Sequence, residues 1–407
     1  AWVEQYGVES QEFSPYVGIS INQDNKIYIV TAIDHSLTSH GYNEDESTSY
    51  YIARYTESGI RLWSNQVGGA GSGTTVGRAV SADANGNVYI AGSTDVGISN
   101  ESIESSYTSY FLAKYTESGA LVWTKIVGAA LGNTKAYGVS ADLNGNVYIT
   151  GYTDVGISQQ TIESNSTSYF LAKYTESGAL VWTKIVGAEL GDTRALGVSV
   201  DLSGNAYITG HTDVGISQQT IESDSTSYFI AKYNSSGSSL WTKIVGVESG
   251  ETSATAISTD ASGSSYITGY TLQSITGESK IGVVDYFIAK YSTAGSRLWT
   301  REQGIESLAV LAGGINVDST NGKIYVSGLV TLSEDAEFSK SFLAKYTESG
   351  LFLWTENLGT ESGYTQGNGV ATDSEGNAYL TGLTTIGLDG EPQVGSVDYF
   401  IAKYNSN

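Results

Sequence analysis

The 407-residue sequence predicts an all-β chain folded as a single seven-bladed β-propeller, with four antiparallel strands in each blade. Three observations carry that expectation. One phrase, typified by Phe111-Leu112-Ala113-Lys114-Tyr115, comes back seven times, with its basic residue at Arg54, Lys114, Lys173, Lys232, Lys290, Lys345 and Lys403. The steps between these residues are 60, 59, 59, 58, 55 and 58, a near-fixed period that marks a repeat architecture. The two ends of the chain are complementary fragments of one such repeat.

The fragments come first in chain order. Residues 1–7, Ala-Trp-Val-Glu-Gln-Tyr-Gly, match Leu121 to Gly128, so that Trp2 takes the position of Trp123, but no basic phrase precedes it. At the other end, Phe400-Ile401-Ala402-Lys403-Tyr404 has no Trp strand after it. Seven Trp (Trp2, Trp63, Trp123, Trp182, Trp241, Trp299, Trp354) then accompany seven basic phrases. An open solenoid needs distinct capping repeats, whereas a ring needs its last unit built from both termini. Residues 1–7 are therefore expected as the outer strand of the closing blade. The blades are expected at about 8–66, 67–126, 127–185, 186–244, 245–302, 303–357 and 358–407 within one domain, 1–407.

Within a repeat the strands follow from local chemistry. Strand A is near Tyr137–Asp142, strand B is Asn146–Gly151, strand C is Tyr169–Tyr174 and strand D is Leu180–Val186. The A–B link, Asp142-Leu143-Asn144-Gly145-Asn146, is a tight hairpin, because Asp and Asn bond their own backbone and Gly accepts φ > 0. Thr175-Glu176-Ser177-Gly178 makes the C–D hairpin in the same way. Pro occurs only at Pro15 and Pro392, both outside these strands, as ladder bonding requires. The B–C and D–A links are long, varied and acidic, and the strand order places both on one face. Residues 110–168 and 169–227 differ at nine of 59 positions, while the first and sixth repeats depart most, with Thr31 replacing the Gly that ends strand B in the first.

Composition narrows the partners. The formal net charge is -23, with 20 Lys+Arg against 43 Asp+Glu, and such a surface repels phosphate backbones, so nucleic acid is not an expected partner. Cys and Met are both absent, so no disulfide or Cys-type metal site forms and no sulfur can be oxidised. That absence suits an extracellular or cell-surface life, and a chain beginning at Ala1 fits a mature secreted form or a shortened chain. No apolar run approaches transmembrane length, so membrane insertion is not expected.

The combined pattern F-[LI]-A-K-Y-x-x-x-G-x-x-x-W followed by [GA]-[VI]-S-x-D-x-x-G-N-x-Y-[IL]-T-G resembles the bacterial SBBP-type β-propeller repeat, over essentially the whole chain. The resemblance implies a seven-bladed ring, often secreted or at a cell surface, with no shared catalytic residue set. The G-x-x-x-W element is also similar to quinoprotein propeller repeats, and the WD and Gly-His pairs of WD40 blades are missing.

Several residue sets invite a functional role. The seven Trp suit either sugar stacking or packing between blades, and one per blade at a fixed site favours packing. The strand B Tyr (Tyr28, Tyr89, Tyr148, Tyr207, Tyr266, Tyr325, Tyr379) reads the same way. The strand C cations either form an anion-binding ring or pair with carboxylates, since a cation in a packed sheet is costly alone. The Asp before each A–B turn (Asp83, Asp142, Asp201, Asp260, Asp318, Asp373) is the expected partner. On the loop face the candidate ligand-binding residues are Asp34, Asp45, Asp95, Asp154, Asp213, Glu189, Asp192, Glu334 and Asp335. Such carboxylates either hold Ca²⁺ or keep the surface soluble, and no other cofactor is expected. His35, His40 and His211 lack metal-ligand spacing, and no nucleophile elbow, Walker loop or zinc signature is present.

The expected function is a non-enzymatic extracellular binding or scaffold protein acting through the B–C and D–A face. Its partner would be a protein, a surface polysaccharide or a second copy of itself. The alternative is a lectin-like propeller, or a hydrolase or lyase with its site at the channel mouth. An enzyme should break the seven-fold sameness with converging polar groups at a few channel-facing positions. A lectin should repeat one pocket per blade, and a scaffold needs neither.

Overall fold

The computed structural model describes residues 1–7, 12–13, 16–34, 37–38, 41–42, 47–68, 73–103, 107–129, 131–160, 162, 166–188, 191–221, 225–275, 279–318, 320–332 and 338–406, with backbone alone at 12–13, 34, 37–38 and 41–42. The chain is all-β. Seven sheets of at least four strands follow one another around a ring, and none of the described residues is helical. In the second blade the strands are Thr75–Ala82, Val88–Thr94, Ser109–Tyr115 and Leu121–Val127, hereafter strands A to D. Strand A of the other blades is Gly18–Ile21, Thr134–Ala141, Thr193–Val200, Thr252–Thr259, Val310–Asp318 and Thr365–Thr372. These strands surround a central channel that all seven blades line.

The ring closes as its ends require. Trp2–Tyr6 pairs antiparallel with Asp398–Tyr404, and Trp2 stands opposite Lys403 as Trp123 stands opposite Lys114. Gln5 is buried at this seam. Its Nε2 donates to Asp398 Oδ2 at 2.7 Å and to the Ile386 carbonyl at 3.0 Å, and its Oε1 accepts from the Leu388 N–H at 3.0 Å. The closure gives strand C of the last blade its outer partner and removes an open sheet edge.

Repeated residues are spent at the joints between blades. The Trp123 indole lies on Gly178 of the next blade, where a Cβ would sit 3.0 Å from the ring, and its Nε1 donates to the Glu176 carbonyl at 3.2 Å. Gly178 has φ +83°, so the turn needs glycine on two counts. Trp63, Trp182 and Trp241 repeat both contacts on Gly119, Gly237 and Gly295. The seven Trp are half-buried, so blade packing accounts for this position without a ligand. Tyrosine pairs add a second set of joints: Tyr110 to Tyr174 at 2.6 Å, Tyr169 to Tyr233 at 2.7 Å and Tyr228 to Tyr291 at 2.8 Å, each hydroxyl to hydroxyl and buried.

The strand C cations divide their pairing more widely than the sequence suggests. Lys232 reaches Asp201 at 3.9 Å and Lys403 reaches Asp373 at 3.6 Å, both the Asp before the A–B turn. Lys114 instead pairs with Glu176 at 2.9 Å, Lys290 with Glu348 at 2.7 Å and Arg54 with Glu117 at 3.1 Å, all on the following blade's C–D turn. Where that turn carries Ser, the cation takes a carbonyl: Lys173 that of Ser235 at 3.2 Å and Lys345 that of Ser406 at 2.9 Å. Each Lys also lies over the strand B Tyr of its own blade, as Lys232 does over Tyr207 at 4.7 Å. The cations are thus committed to partners within and between the blades.

Candidate functional site

One local irregularity recurs in strand A. Opposite strand B the register skips a residue between Gly77 and Ala79, leaving Arg78 as an extra, bulged residue. The same skip leaves Tyr137, Leu196, Thr255, Gly313 and Asn368 bulged in the next five blades. A β-bulge re-aims the side chain it carries. It also drives a carbonyl against strand B. A Cβ at Gly92, Gly151, Gly210 or Gly269 would meet the carbonyl oxygen of Val76, Lys135, Arg194 or Ser253 at 1.9 Å, so strand B carries glycine there. In the first blade Thr31 takes that place. Strand A is there split into Glu12–Phe13 and Gly18–Ile21, and Tyr16 and Val17 occupy the interruption.

The bulged residues, with Val17, all line one cavity of about 360 Å³ at the D–A end of the channel. Tyr16, Tyr270, Leu311, Leu329 and Gln366 complete its wall. The flanking strand positions repeat, whereas the bulge position reads Val, Arg, Tyr, Leu, Thr, Gly and Asn around the ring. The seven-fold sameness is therefore broken where the residues converge.

Cations and rings alternate along one arc of this mouth. The Arg78 guanidinium sits against both the Tyr16 ring at 4.8 Å and the Tyr137 ring at 4.9 Å, which themselves meet edge to face with centroids 6.2 Å apart. Tyr137 stacks on Tyr152 with centroids 5.7 Å apart, and Arg194 covers Tyr152 at 4.8 Å. Next comes His211, whose Nδ1 lies 3.2 Å from Ser253 Oγ, and then Tyr270, which donates to Glu251 at 2.6 Å. Burial pushes the Tyr137 hydroxyl up, against the opposing charge of Arg78. Burial and the Glu251 carboxylate push Tyr270 up to about 12. Burial, and then the Arg194 charge, hold His211 below its usual range. Rings and guanidinium groups in such contact hold one another in place.

The acidic candidates occupy the same end of the ring in a different role. Asp95 Oδ1 accepts from the Thr74 N–H at 2.6 Å, Asp154 Oδ1 from Asn133 at 2.5 Å and Asp213 Oδ1 from Asp192 at 2.6 Å. Each ties the loop after strand B to the loop before strand A of its own blade, so both loops do emerge on one face. Asp192 pairs with Arg194 at 3.0 Å; burial raises its carboxyl, but hydrogen bonds from Thr167 and the Arg194 charge outweigh that and leave it lowered. Asp34 ends strand B of the first blade in backbone terms. Asp45, Glu189, Glu334 and Asp335, with His35 and His40, lie outside the described residues. Among the described residues no group of three His, Asp or Glu is placed to hold a metal ion.

The sequence offers the channel mouth only as the alternative site and names none of the residues that line it, although a signal for them is present. Of the nine differences between residues 110–168 and 169–227, four pair Asn133 with Asp192, Lys135 with Arg194, Tyr137 with Leu196 and Tyr152 with His211. All four pairs stand at the opening of strand A or the end of strand B.

Fold and site together define a seven-bladed β-propeller with one asymmetric mouth. The chain carries the SBBP β-propeller repeat in four places, at residues 62–98, 122–157, 181–216 and 353–389, each running from strand D of one blade past strand B of the next. It is 24% identical over 454 residues to an uncharacterized WD repeat-containing protein of Acanthamoeba polyphaga mimivirus, covering 88% of this chain and 32% of that protein. The chain thus spans about a third of the length of the curated relative it matches. Among solved structures it resembles a PL25 ulvan lyase bound to -[GlcA(1-4)Rha3S]-, with a TM-score of 0.56, 10% identity and coverage of 99% of this chain and 96% of that one. A second ulvan lyase structure gives a TM-score of 0.55, with the same identity and coverage. At this identity the likeness concerns the fold.

Proposed function

We propose that this chain is an extracellular ligand-binding propeller that works through a single site, the channel mouth, and that its ligand is a saccharide unit of a surface polysaccharide. The observation that carries this reading is the break in symmetry at the strand A bulge. Blades that otherwise repeat one another place Arg78, Tyr137, Leu196, Thr255, Gly313 and Asn368 around one cavity of about 360 Å³. Clefts of roughly 300–1,000 Å³ with apolar walls and a few convergent polar groups are ordinary small-ligand sites. A lectin with one pocket per blade would keep the bulge residue constant. A scaffold acting through its acidic loops would have no use for the variation, and Asp95, Asp154 and Asp213 spend a carboxylate oxygen on backbone N–H groups.

A second reading, an enzyme acting on a polysaccharide at the same mouth, has its own support. His211 and Tyr270 are titratable groups with shifted pKa values beside the cavity, and perturbed groups in clefts are candidates for proton transfer. The PL25 ulvan lyase likeness raises this reading by fold analogy alone.

An array of neutral and acidic glycans tests the site. The mouth reading expects selective binding that is lost in Leu196→Trp, which fills the cavity. Binding unchanged by that substitution would move the site to the loops or the blade joints. Release of shorter or unsaturated products from a bound glycan would favour the enzyme.

A further inference from the structure

We infer that the mouth reads an acidic saccharide, a sugar ring whose carboxylate pairs with Arg78. This rests on the single-site reading above and narrows it to a ligand class. The chain has 20 Lys+Arg against 43 Asp+Glu, so few cations are available to face a ligand at the mouth. Arg54, Lys114, Lys173, Lys232, Lys290, Lys345 and Lys403 are used within the blades or at their joints. At the mouth Arg194 is neutralised by Asp192 at 3.0 Å. Arg78 is different. Among the described residues no carboxylate lies within ion-pair distance of it, nor of Lys135 on the neighbouring strand A.

The Arg78 side chain is nevertheless fixed. Tyr16 and Tyr137 meet edge to face, 6.2 Å apart, and the guanidinium sits against both rings in the corner they form, with Nη1 donating to Ser93 Oγ at 2.5 Å. Its Nε is buried without an acceptor. The same holds for Nε of Arg54 and Arg194; what sets Arg78 apart is its place on the cavity wall, where a bound carboxylate would supply the missing charge. The surrounding whole-protein field is negative, so the anion is held by this local cation and not by long-range attraction.

The rest of the wall selects a sugar over a bare anion. A cavity of about 360 Å³ exceeds what an inorganic oxyanion fills. Leu311, Leu329 and Tyr270 offer apolar surface for a pyranose face, while Gln366 and Thr255 offer polar groups for its hydroxyls. Arg is also the residue whose planar fork matches a carboxylate in two hydrogen bonds.

The test is calorimetric titration of the intact chain with disaccharides bearing glucuronate, galacturonate or mannuronate, each beside its carboxyl-reduced neutral counterpart. At least one acidic disaccharide should bind, its reduced counterpart should bind about 10- to 100-fold more weakly, and Arg78→Gln should lose a similar factor. Arg78→Lys, which keeps the charge and loses the fork, should fall between the two and serves if the Gln variant unfolds. Equal binding of acidic and reduced sugars, or no binding of any acidic disaccharide, overturns the inference. So does full displacement by acetate at equal concentration. If reduced sugars bind as well and Leu196→Trp abolishes it, the acidic-sugar inference falls and the single site stands. Acidic-sugar binding untouched by Arg78→Gln and Leu196→Trp brings both down.

Discussion

Tyr137 and Leu196 stand at the same place in adjacent blades, each the bulged residue of strand A and each on the wall of the same cavity. The segments that hold them, 110–168 and 169–227, agree at all but nine of 59 positions. A blade joint constrains nearly everything else in these segments, since the Trp, Gly, Tyr and Lys of one blade meet those of the next. The bulge side chain lies outside that repeated set of contacts and lines the channel cavity. Structure therefore tolerates change there, and under the proposed function that change shapes the ligand site.

Because Leu is already native at this position one blade away, Tyr137→Leu should fold. Its unfolding free energy should fall by about 1–2 kcal/mol, through loss of the contacts to Arg78 and Tyr152. Saccharide binding at the mouth should weaken by tenfold or more. Denaturant unfolding and calorimetry read the two effects separately.

The bulge itself depends on Gly151. Gly151→Ala would set a Cβ against the Lys135 carbonyl, so the strand must shift, at a cost of about 2–3 kcal/mol. The shift also moves Tyr137. Loss of stability together with loss of binding is the expected outcome, and a fully stable variant would show that the bulge is not held by this contact.

At the blade joints, Trp123→Ala removes the ring over Gly178 and the bond to the Glu176 carbonyl. The ring is half-buried, so a loss of about 2–4 kcal/mol is expected, slightly below that of a fully buried Trp. Glycan binding should persist in the folded fraction, which a stacking role for this Trp would not allow.

His211 supplies a pH dependence. Burial and the Arg194 charge depress its folded-state pKa, so the neutral ring is favoured in the native chain. Its stabilising contribution is full above the unfolded value near 6.5 and is lost as pH falls through the lower folded value. His211→Tyr copies Tyr152 of the preceding blade and removes this component. The urea midpoint of the native chain should therefore drop more between pH 7 and pH 5 than that of the variant. Parallel curves would contradict the assignment.

Removing residues 1–6 strips Trp2, Gln5 and the outer strand from the closing blade. The melting temperature should fall by more than about 5 °C, and the exposed strand C edge should promote association. Adding the excised peptide back should reverse part of the loss.

The sequence carried the ring clearly for a physical reason. Each joint reuses the same Trp, Lys, Tyr and Gly, so the period of Arg54 to Lys403 is the period of the contacts, and Trp2 stands opposite Lys403 as the matching of the ends requires. The mouth was less legible. Alternation assigns side chains to the two faces of a strand, but a bulge interrupts alternation, and nothing in the pattern around Arg78 or Tyr137 announces where the extra residue falls. The acidic loops drew attention because they vary and carry charge. Asp95, Asp154 and Asp213 turn out to pin loop to loop within a blade. The better signals were the substitution of Thr31 for the strand B glycine and the clustering of Tyr137/Leu196 and Tyr152/His211 among so few differences.

The most direct measurement is the stoichiometry of saccharide binding, read by isothermal titration with the glycan that gives the strongest array signal, for the native chain and for Tyr137→Leu. A single asymmetric mouth predicts one site per chain, weakened tenfold or more by the substitution. A stoichiometry approaching one site per blade, or binding indifferent to Tyr137→Leu, would contradict it and return the function to the repeated surfaces of the ring.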